Sequence, residues 1–250
     1  MDKISLPDGI ALQLSDTGRG KPVLLLHGGA GPRLMQSLAT ALAEGARVLL
    51  PTHPGFLGTP CPDWLDRVDD LALVYADLLD TLDLRDVLVI GNSLGGWIAA
   101  SLALLAPQRL RGVVLMNACG IRVEGHAVTD VSKLAPPQLA DLAYHEPDKF
   151  RIDPTKLSAD DLAAFASNGA MMNRLCNTPY MHDPKLARRL RRATLPALVI
   201  WGESDRIVDV GYGRAFAKAF ANGRFELVEK AGHMPHLEQP ERVLALLQGV

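Results

Sequence analysis

Ser93 lies in Gly91-Asn92-Ser93-Leu94-Gly95, between the branched apolar run Val87–Ile90 and a small-residue, apolar stretch from Trp97 to Ala106. The first has the pattern of a strand buried on both faces of a parallel sheet, and the second reads as a buried helix. The spacing G-x-S-x-G puts the serine at the tip of a strand-to-helix turn, where the positions two before and two after have no room for side chains. A helix start also offers free N–H groups to developing negative charge. The chemistry open to such a serine is nucleophilic attack on a carbonyl. A hydroxyl needs a base for this, and the base needs a third group to orient it. Two later segments offer candidates, Trp201-Gly202-Glu203-Ser204-Asp205 and Ala231-Gly232-His233. Asp209 is a rival for Asp205 but also suits a helix cap, and His236 is a rival for His233 that also suits packing or a local bond.

The elements that must position these residues alternate in type. Ile4–Leu6 and Ile10–Leu14 flank the turn signal Pro7-Asp8-Gly9, which predicts an antiparallel hairpin. Val23–Leu26 predicts a buried strand running into His27-Gly28-Gly29-Ala30-Gly31-Pro32, a loop whose main-chain N–H groups are open to a ligand. A helix over 34–44, a strand over 47–50 and an amphipathic helix over 68–82 precede the Ser93 strand. Val113–Met116 gives a further strand. From about Gly120 to Arg192 strands vanish, prolines recur, and short helices are predicted over 137–144, 159–168, 170–176 and 184–190. The sheet restarts at Ala197–Trp201, followed by a helix over 213–221, a last strand over 225–228 and a last helix over 241–248. Strands alternating with helices mean a mostly parallel sheet covered on both faces, and ligands of such sheets bind outside the carboxyl ends of the strands. Every candidate above follows a strand.

The chain order Ser93, Asp205, His233 is that of the α/β-hydrolases, and the sequence resembles that superfamily along nearly its whole length. The resemblance rests on His27-Gly28-Gly29, on Gly91-Asn92-Ser93-Leu94-Gly95-Gly96, on Gly202-Glu203-Ser204-Asp205, and on the segment from Gly232 to Pro240. It implies an α/β-hydrolase fold, with residues 1–119 and 193–250 as the core and 120–192 as a helical lid. It makes Ser93 the nucleophile, His233 the base and Asp205 the group that fixes the histidine tautomer. The N–H groups of Gly29 and Leu94 become the oxyanion hole, and His27 becomes a structural hydrogen-bonder. Asn92, Met171 and Met172 are expected to line the substrate pocket; His53 stands where many relatives carry an aspartate, which implies a different pocket floor. Cys119 reads as a small buried residue. An aspartate in place of Ser93 marks relatives that cleave carbon–halogen or epoxide bonds, so both activities are disfavoured. Hydrolases of carbon–carbon bonds in ring-cleavage products share the Gly-rich loop and the Asn before the serine. They usually place Trp after the catalytic histidine, where this chain has Met234.

Composition narrows the rest. Across 250 residues, 48% are apolar and 22% charged, and the formal net charge of −2 gives no electrostatic reason to expect nucleic acid or a membrane surface. Three widely spaced cysteines argue for a reducing compartment rather than a disulfide framework or a zinc site; the start carries no apolar stretch of signal-peptide length, and no run approaches the length of a membrane span. The expectation is a cytoplasmic serine hydrolase, monomer or homodimer, acting on a small-molecule carboxylic ester of mainly apolar character, with no cofactor or metal. The alternatives are a carbon–carbon hydrolase using the same residues and, further off, a receptor that binds without turnover.

Overall fold

The computed structural model describes residues 2–7 and 9–250, and among them strands and helices largely alternate, with ten strands and ten α-helices. The opening hairpin is β1 (Asp2–Ser5) and β2 (Ala11–Gly18), paired antiparallel; Asp8 of its predicted turn lies outside the described residues. β3 (Pro22–Leu26), β4 (Arg47–Pro51), β5 (Val87–Asn92), β6 (Leu110–Met116), β9 (Ala197–Gly202) and β10 (Gly223–Val228) complete an eight-stranded sheet of order β1-β2-β4-β3-β5-β6-β9-β10. β2 meets β4 antiparallel, and every later pair is parallel.

Strand periodicity sorts the core into two layers. Leu24, Leu26, Val87, Val89, Val113, Leu115, Val199 and Trp201 face one layer, which also takes α2 (Val68–Thr81), α3 (Leu94–Leu105) and α8 (Val210–Ala219). The alternate residues Val23, Leu25, Leu88, Ile90, Val114, Met116, Leu198 and Ile200 face the other, with α1 (Gln36–Leu42) and α10 (Pro240–Leu247). A sheet with apolar residues on both faces needs cover on both, at roughly 1.5–3 kcal/mol of stabilisation per buried aliphatic side chain. The continuous apolar strands therefore dictate the three-layer arrangement.

Between β6 and β9 the chain departs from the predicted pattern in two places. Strands do not vanish: β7 (Gly120–Ile121) pairs parallel with β8 (His182–Asp183) and ties the start of the insertion to its end. The two helices predicted on either side of Gly169 are one, α6 (Ala159–Cys176). Gly169 costs that helix about 1 kcal/mol relative to Ala, and the N-terminal cap offsets it. Ser158 Oγ accepts from Asp161 N (3.1 Å), and Asp161 Oδ2 accepts from Ser158 N (3.1 Å). α4 (Pro136–Ala143), α5 (Pro147–Phe150) and α7 (Leu186–Leu190) are the other helices of this region, and α9 (Pro235–Glu238) precedes α10. Among the described residues, no helix is long and apolar enough to cross a membrane.

Candidate active site

Strand order reverses at β3, with β4 on one side and β5 on the other, and a crevice opens at the carboxyl ends of such a pair. Leu26 is in register with Gly91, so the Gly-rich loop after β3 stands beside the turn after β5. A Cβ on Gly28 would lie 3.1 Å from Ser93 Cβ and 3.3 Å from Asn92 O. The turn is as tight as its sequence demands. A Cβ on Gly91 would fall 2.1 Å from Gly95 O, and one on Gly95 would fall 2.0 Å from Leu26 O. Ser93 takes φ 54, ψ −117, a conformation that a non-glycine residue adopts only when its surroundings impose it. Its N–H donates to Met116 O on β6 (2.9 Å), which anchors the turn.

Asp205 and His233 come together at the ends of β9 and β10. His233 Nδ1 donates to Asp205 Oδ2 at 2.8 Å, and the two residues are 4% and 5% exposed. A proton held at Nδ1 leaves the lone pair on Nε2, the tautomer a general base requires. Asp205 Oδ1 accepts from the N–H groups of Ile207 (2.8 Å) and Val208 (3.0 Å), which fixes the carboxylate from its own loop. Asp209 is occupied elsewhere: it caps α8 by accepting from Tyr212 N (3.0 Å) and meets His126 Nδ1. His236 is buried and donates from Nε2 to Leu34 O (3.0 Å), so it ties α9 to the rest of the chain. The geometry thus separates each candidate from its rival.

The other expected site residues divide. Gly29 occupies a central position of a turn closed by Gly31 N to Gly28 O (3.1 Å), and Leu94 is the first residue of α3; a turn or helix start leaves the N–H at such positions free. The side chain of Met172 covers Gly29, with Sδ 3.0 Å from where a Cβ would be. Met171 faces Gly55 instead, is 6% exposed and belongs to the core cluster. Asn92 also departs from expectation. It is 1% exposed and donates from Nδ2 to Met116 O (3.1 Å) and His233 O (3.0 Å), so its amide holds the serine turn to the histidine loop.

His53 is fully buried in a polar stack. His53 N donates to His27 Nε2 (3.0 Å), which places the His27 proton on Nδ1, where it is donated to Gly28 O (2.7 Å). His53 Nε2 donates to His27 O (2.9 Å), and the Tyr75 hydroxyl donates to His53 Nδ1. The rings of His27 and His53 stack with centroids 3.6 Å apart. Burial pushes His27 down to about 4 and His53 well below the ordinary histidine value, and it lifts the Tyr75 hydroxyl well above its own. This neutral stack holds the loop that carries Gly28 and Gly29. Burial likewise raises the Cys119 thiol far above its usual range, which makes it inert.

Two contributions escape the sequence reading. Residues 141–146 of the insertion lie across the loops that carry Asp205 and His233. Arg206 N donates to Leu142 O (3.1 Å), His233 N to Ala143 O (2.6 Å), and His145 Nδ1 meets Ser204 Oγ (2.7 Å). Glu238 accepts from the N–H groups of Gly232 (2.6 Å), His145 (2.8 Å) and Glu146 (3.2 Å). The second is Asn117, at the end of β6, whose Nδ2 donates to Asp205 Oδ2 at 2.7 Å. Its place directly after a strand is the one signal that could have marked it. Among the described residues, no group of three or more His, Cys, Asp or Glu side chains is placed to hold a metal ion.

Comparison with known proteins agrees with this fold. The profile of the alpha/beta hydrolase family matches residues 23–246. A 2-hydroxy-6-oxononadienedioate/2-hydroxy-6-oxononatrienedioate hydrolase of Cupriavidus pinatubonensis is 28% identical over 261 residues, covering 94% of this chain and 89% of that protein. A 2-hydroxy-6-oxo-2,4-heptadienoate hydrolase of Pseudomonas putida is 27% identical over 266 residues, covering 98% and 94%. Among solved structures, a thermophilic esterase from Thermogutta terrifontis superposes with a TM-score of 0.74 at 26% identity, covering 99% of this chain and 96% of that one.

Proposed function

The chain belongs to the alpha/beta hydrolase family, and on that premise we propose that it hydrolyses the carbon–carbon bond beside a ketone in a small dienol ketone of the ring-cleavage class. Ser93 is the nucleophile, His233 the base and Asp205 its orienting acid. The observation that carries the chemistry is the hydrogen bond from His233 Nδ1 to Asp205 Oδ2, at strand ends adjoining the Ser93 turn. The choice of bond rests on the likeness to two relatives named as hydrolases of 2-hydroxy-6-oxo dienoates, each over more than nine-tenths of this chain. The expectation of an ester substrate is revised accordingly.

Ser93 Oγ attacks the ketone carbon while His233 Nε2 takes its proton, and the oxyanion is held by the N–H groups of Gly29 and Leu94. Collapse breaks the bond to the neighbouring carbon. Because that carbon is vinylic in the dienol, the substrate must first isomerise to its keto form, its hydroxyl proton moving to that carbon; the fragment then leaves as a conjugated dienolate, whose oxygen takes the proton from His233. Water, deprotonated by the same imidazole, then frees the acid from Ser93. One water is consumed, and a carboxylic acid and a hydroxydienoate leave. Residues 120–192 act as a lid over a core of 1–119 and 193–250. Met172 against Gly29 supports an apolar wall beside the reacting carbonyl. Three free cysteines support a reducing, cytoplasmic setting.

Ester hydrolysis by the same steps is the second reading, favoured by the likeness to the Thermogutta terrifontis esterase and by Met234 in place of the usual Trp. Colour distinguishes the two. The visible band of a dienol ketone should decay on adding enzyme, with a higher kcat/KM than any p-nitrophenyl ester. Ester turnover with the coloured ketone left intact would reverse the order. Ser93→Ala should abolish fluorophosphonate labelling and lower kcat by on the order of 10⁶; retained labelling would remove Ser93 from its role.

A further inference from the structure

Asn117 stands at the point where three loops of the site meet. It is fully buried, ends β6 with φ 46, and donates its N–H to Ile200 O (3.0 Å) on β9. Asparagine tolerates this left-handed conformation better than most residues. Its amide orientation is settled by its partners: Oδ1 accepts from Gly202 N (3.2 Å), so Nδ2 is the end that faces Asp205 Oδ2, at 2.7 Å. That oxygen is also the one His233 uses. The Asp205 carboxylate therefore holds four hydrogen bonds, two main-chain N–H groups on Oδ1 and two side chains on Oδ2.

We propose that Asn117 is a positioning residue for the Asp205–His233 pair, holding Asp205 Oδ2 as a second donor beside the imidazole and moderating its pull on the Nδ1 proton. The proposal rests on the roles given above to Ser93, His233 and Asp205. The main-chain bonds fix one oxygen of Asp205. The angle of the other toward His233 depends on what else holds it, and Asn117 is the second donor on it. A neutral donor on Oδ2 also draws off part of the charge that would otherwise attract the imidazolium. Removing the donor should make His233 harder to deprotonate, whereas a carboxyl in its place shares one proton with Asp205 and keeps a donor on Oδ2.

Two variants separate positioning from simple support. Asn117→Leu removes both ends of the amide, whereas Asn117→Asp keeps an acceptor for Gly202 N and puts a second carboxyl against Asp205. Active sites are counted by fluorophosphonate labelling, and kcat and kcat/KM are followed against pH. In Asn117→Leu, kcat per labelled site should fall about 10- to 100-fold, the worth of a hydrogen bond to a charged group, with KM within about threefold of wild type. The acid limb of kcat/KM should move to higher pH in Asn117→Leu and stay near its wild-type pH in Asn117→Asp, where the shared proton restores a donor to Asp205. Other titratable groups around the His233 loop, His236, Glu238, His145, Tyr144, Glu203 and Lys230 among them, are common to all the proteins compared. An acid limb at its wild-type pH in Asn117→Leu overturns the proposal, as does an unchanged kcat per labelled site. If Asn117→Leu does not fold, Asn117→Ala, which also removes the donor, decides by the same limb. Wild-type enzyme that resists labelling, or Asp205→Asn with undiminished kcat, would instead sink the parent reading.

Discussion

Asp205 and Asp209 are four residues apart and chemically identical, yet their surroundings give them different work. Asp205 faces His233 and is held by four donors, whereas Asp209 caps α8 and touches a half-buried His126. Replacing Asp205 with Asn keeps the shape but lets Nδ1 of His233 lose its acceptor, so kcat should fall by roughly 10⁴. Asp209→Asn keeps a capping side chain and should leave kcat within a fewfold of wild type. Asp209→Ala should cost about 1 kcal/mol of stability through the lost cap. Steady-state kinetics and urea titrations of the three variants check both halves; a reversal would exchange the two residues. Sequence spacing favoured Asp205, because a strand end delivers it, and strand ends are legible from apolar periodicity. Asn117 and Asn92 were beyond such reading. Which carbonyl or carboxylate an amide meets depends on the register of β5, β6 and β9, and no local pattern encodes that register.

The insertion was legible as helical at the scale of elements but not in its continuity. A glycine between two apolar stretches reads as a break, although no atom outside its own helix approaches the place of a Gly169 Cβ, and the Ser158–Asp161 cap sustains a single long helix through it. The ribbon β7–β8 has only two residues per strand, too few to show an alternation. α6 is then fixed from outside: Asn168 Oδ1 accepts from Leu57 N (2.9 Å), Ser167 Oγ accepts from Gly58 N (2.9 Å), and the same hydroxyl donates to Gly55 O (2.8 Å). These bonds hold neighbouring methionines to different tasks. Met171→Ala empties a packed position and should lower stability by about 2–5 kcal/mol. Met172→Ala should cost less and should instead change which acyl arms are preferred, because its thioether covers Gly29. Thermal unfolding, together with kcat/KM over a series of arm lengths, checks the division. Equal stability losses and an unchanged preference would place both residues in the core.

Across the whole molecule, burial leaves three histidines uncharged in the shell around the site. His27 backs the Gly28–Gly29 loop, His53 stacks upon it, and His236 holds α9 immediately after His233. Burial lowers His27 and His236 to about 4 each, from an ordinary 6.5. Above pH 6.5 these rings are neutral in both folded and unfolded chains, and they make stability no function of pH. Between 6.5 and 4 the unfolded chain takes up protons that the folded one refuses, so stability falls as the pH falls. At pH 5 the loss should be on the order of 2 kcal/mol for each of the two rings, a substantial share of the 5–15 kcal/mol that holds an ordinary domain together. His236→Asn tests this in one step: its amide can still donate to Leu34 O, but it no longer titrates. Urea midpoints at pH 7 and pH 5 should show the wild type losing about 2 kcal/mol more than the variant over that interval, whatever the remaining groups contribute to both. Equal losses would mean that the ring takes up its proton without unfolding. Because His27 and His236 brace the Gly28–Gly29 loop and the segment after His233, the first structure given up in acid should be the site itself. Loss of fluorophosphonate labelling should therefore precede loss of helical circular dichroism as the pH is lowered from 6.5 toward 4.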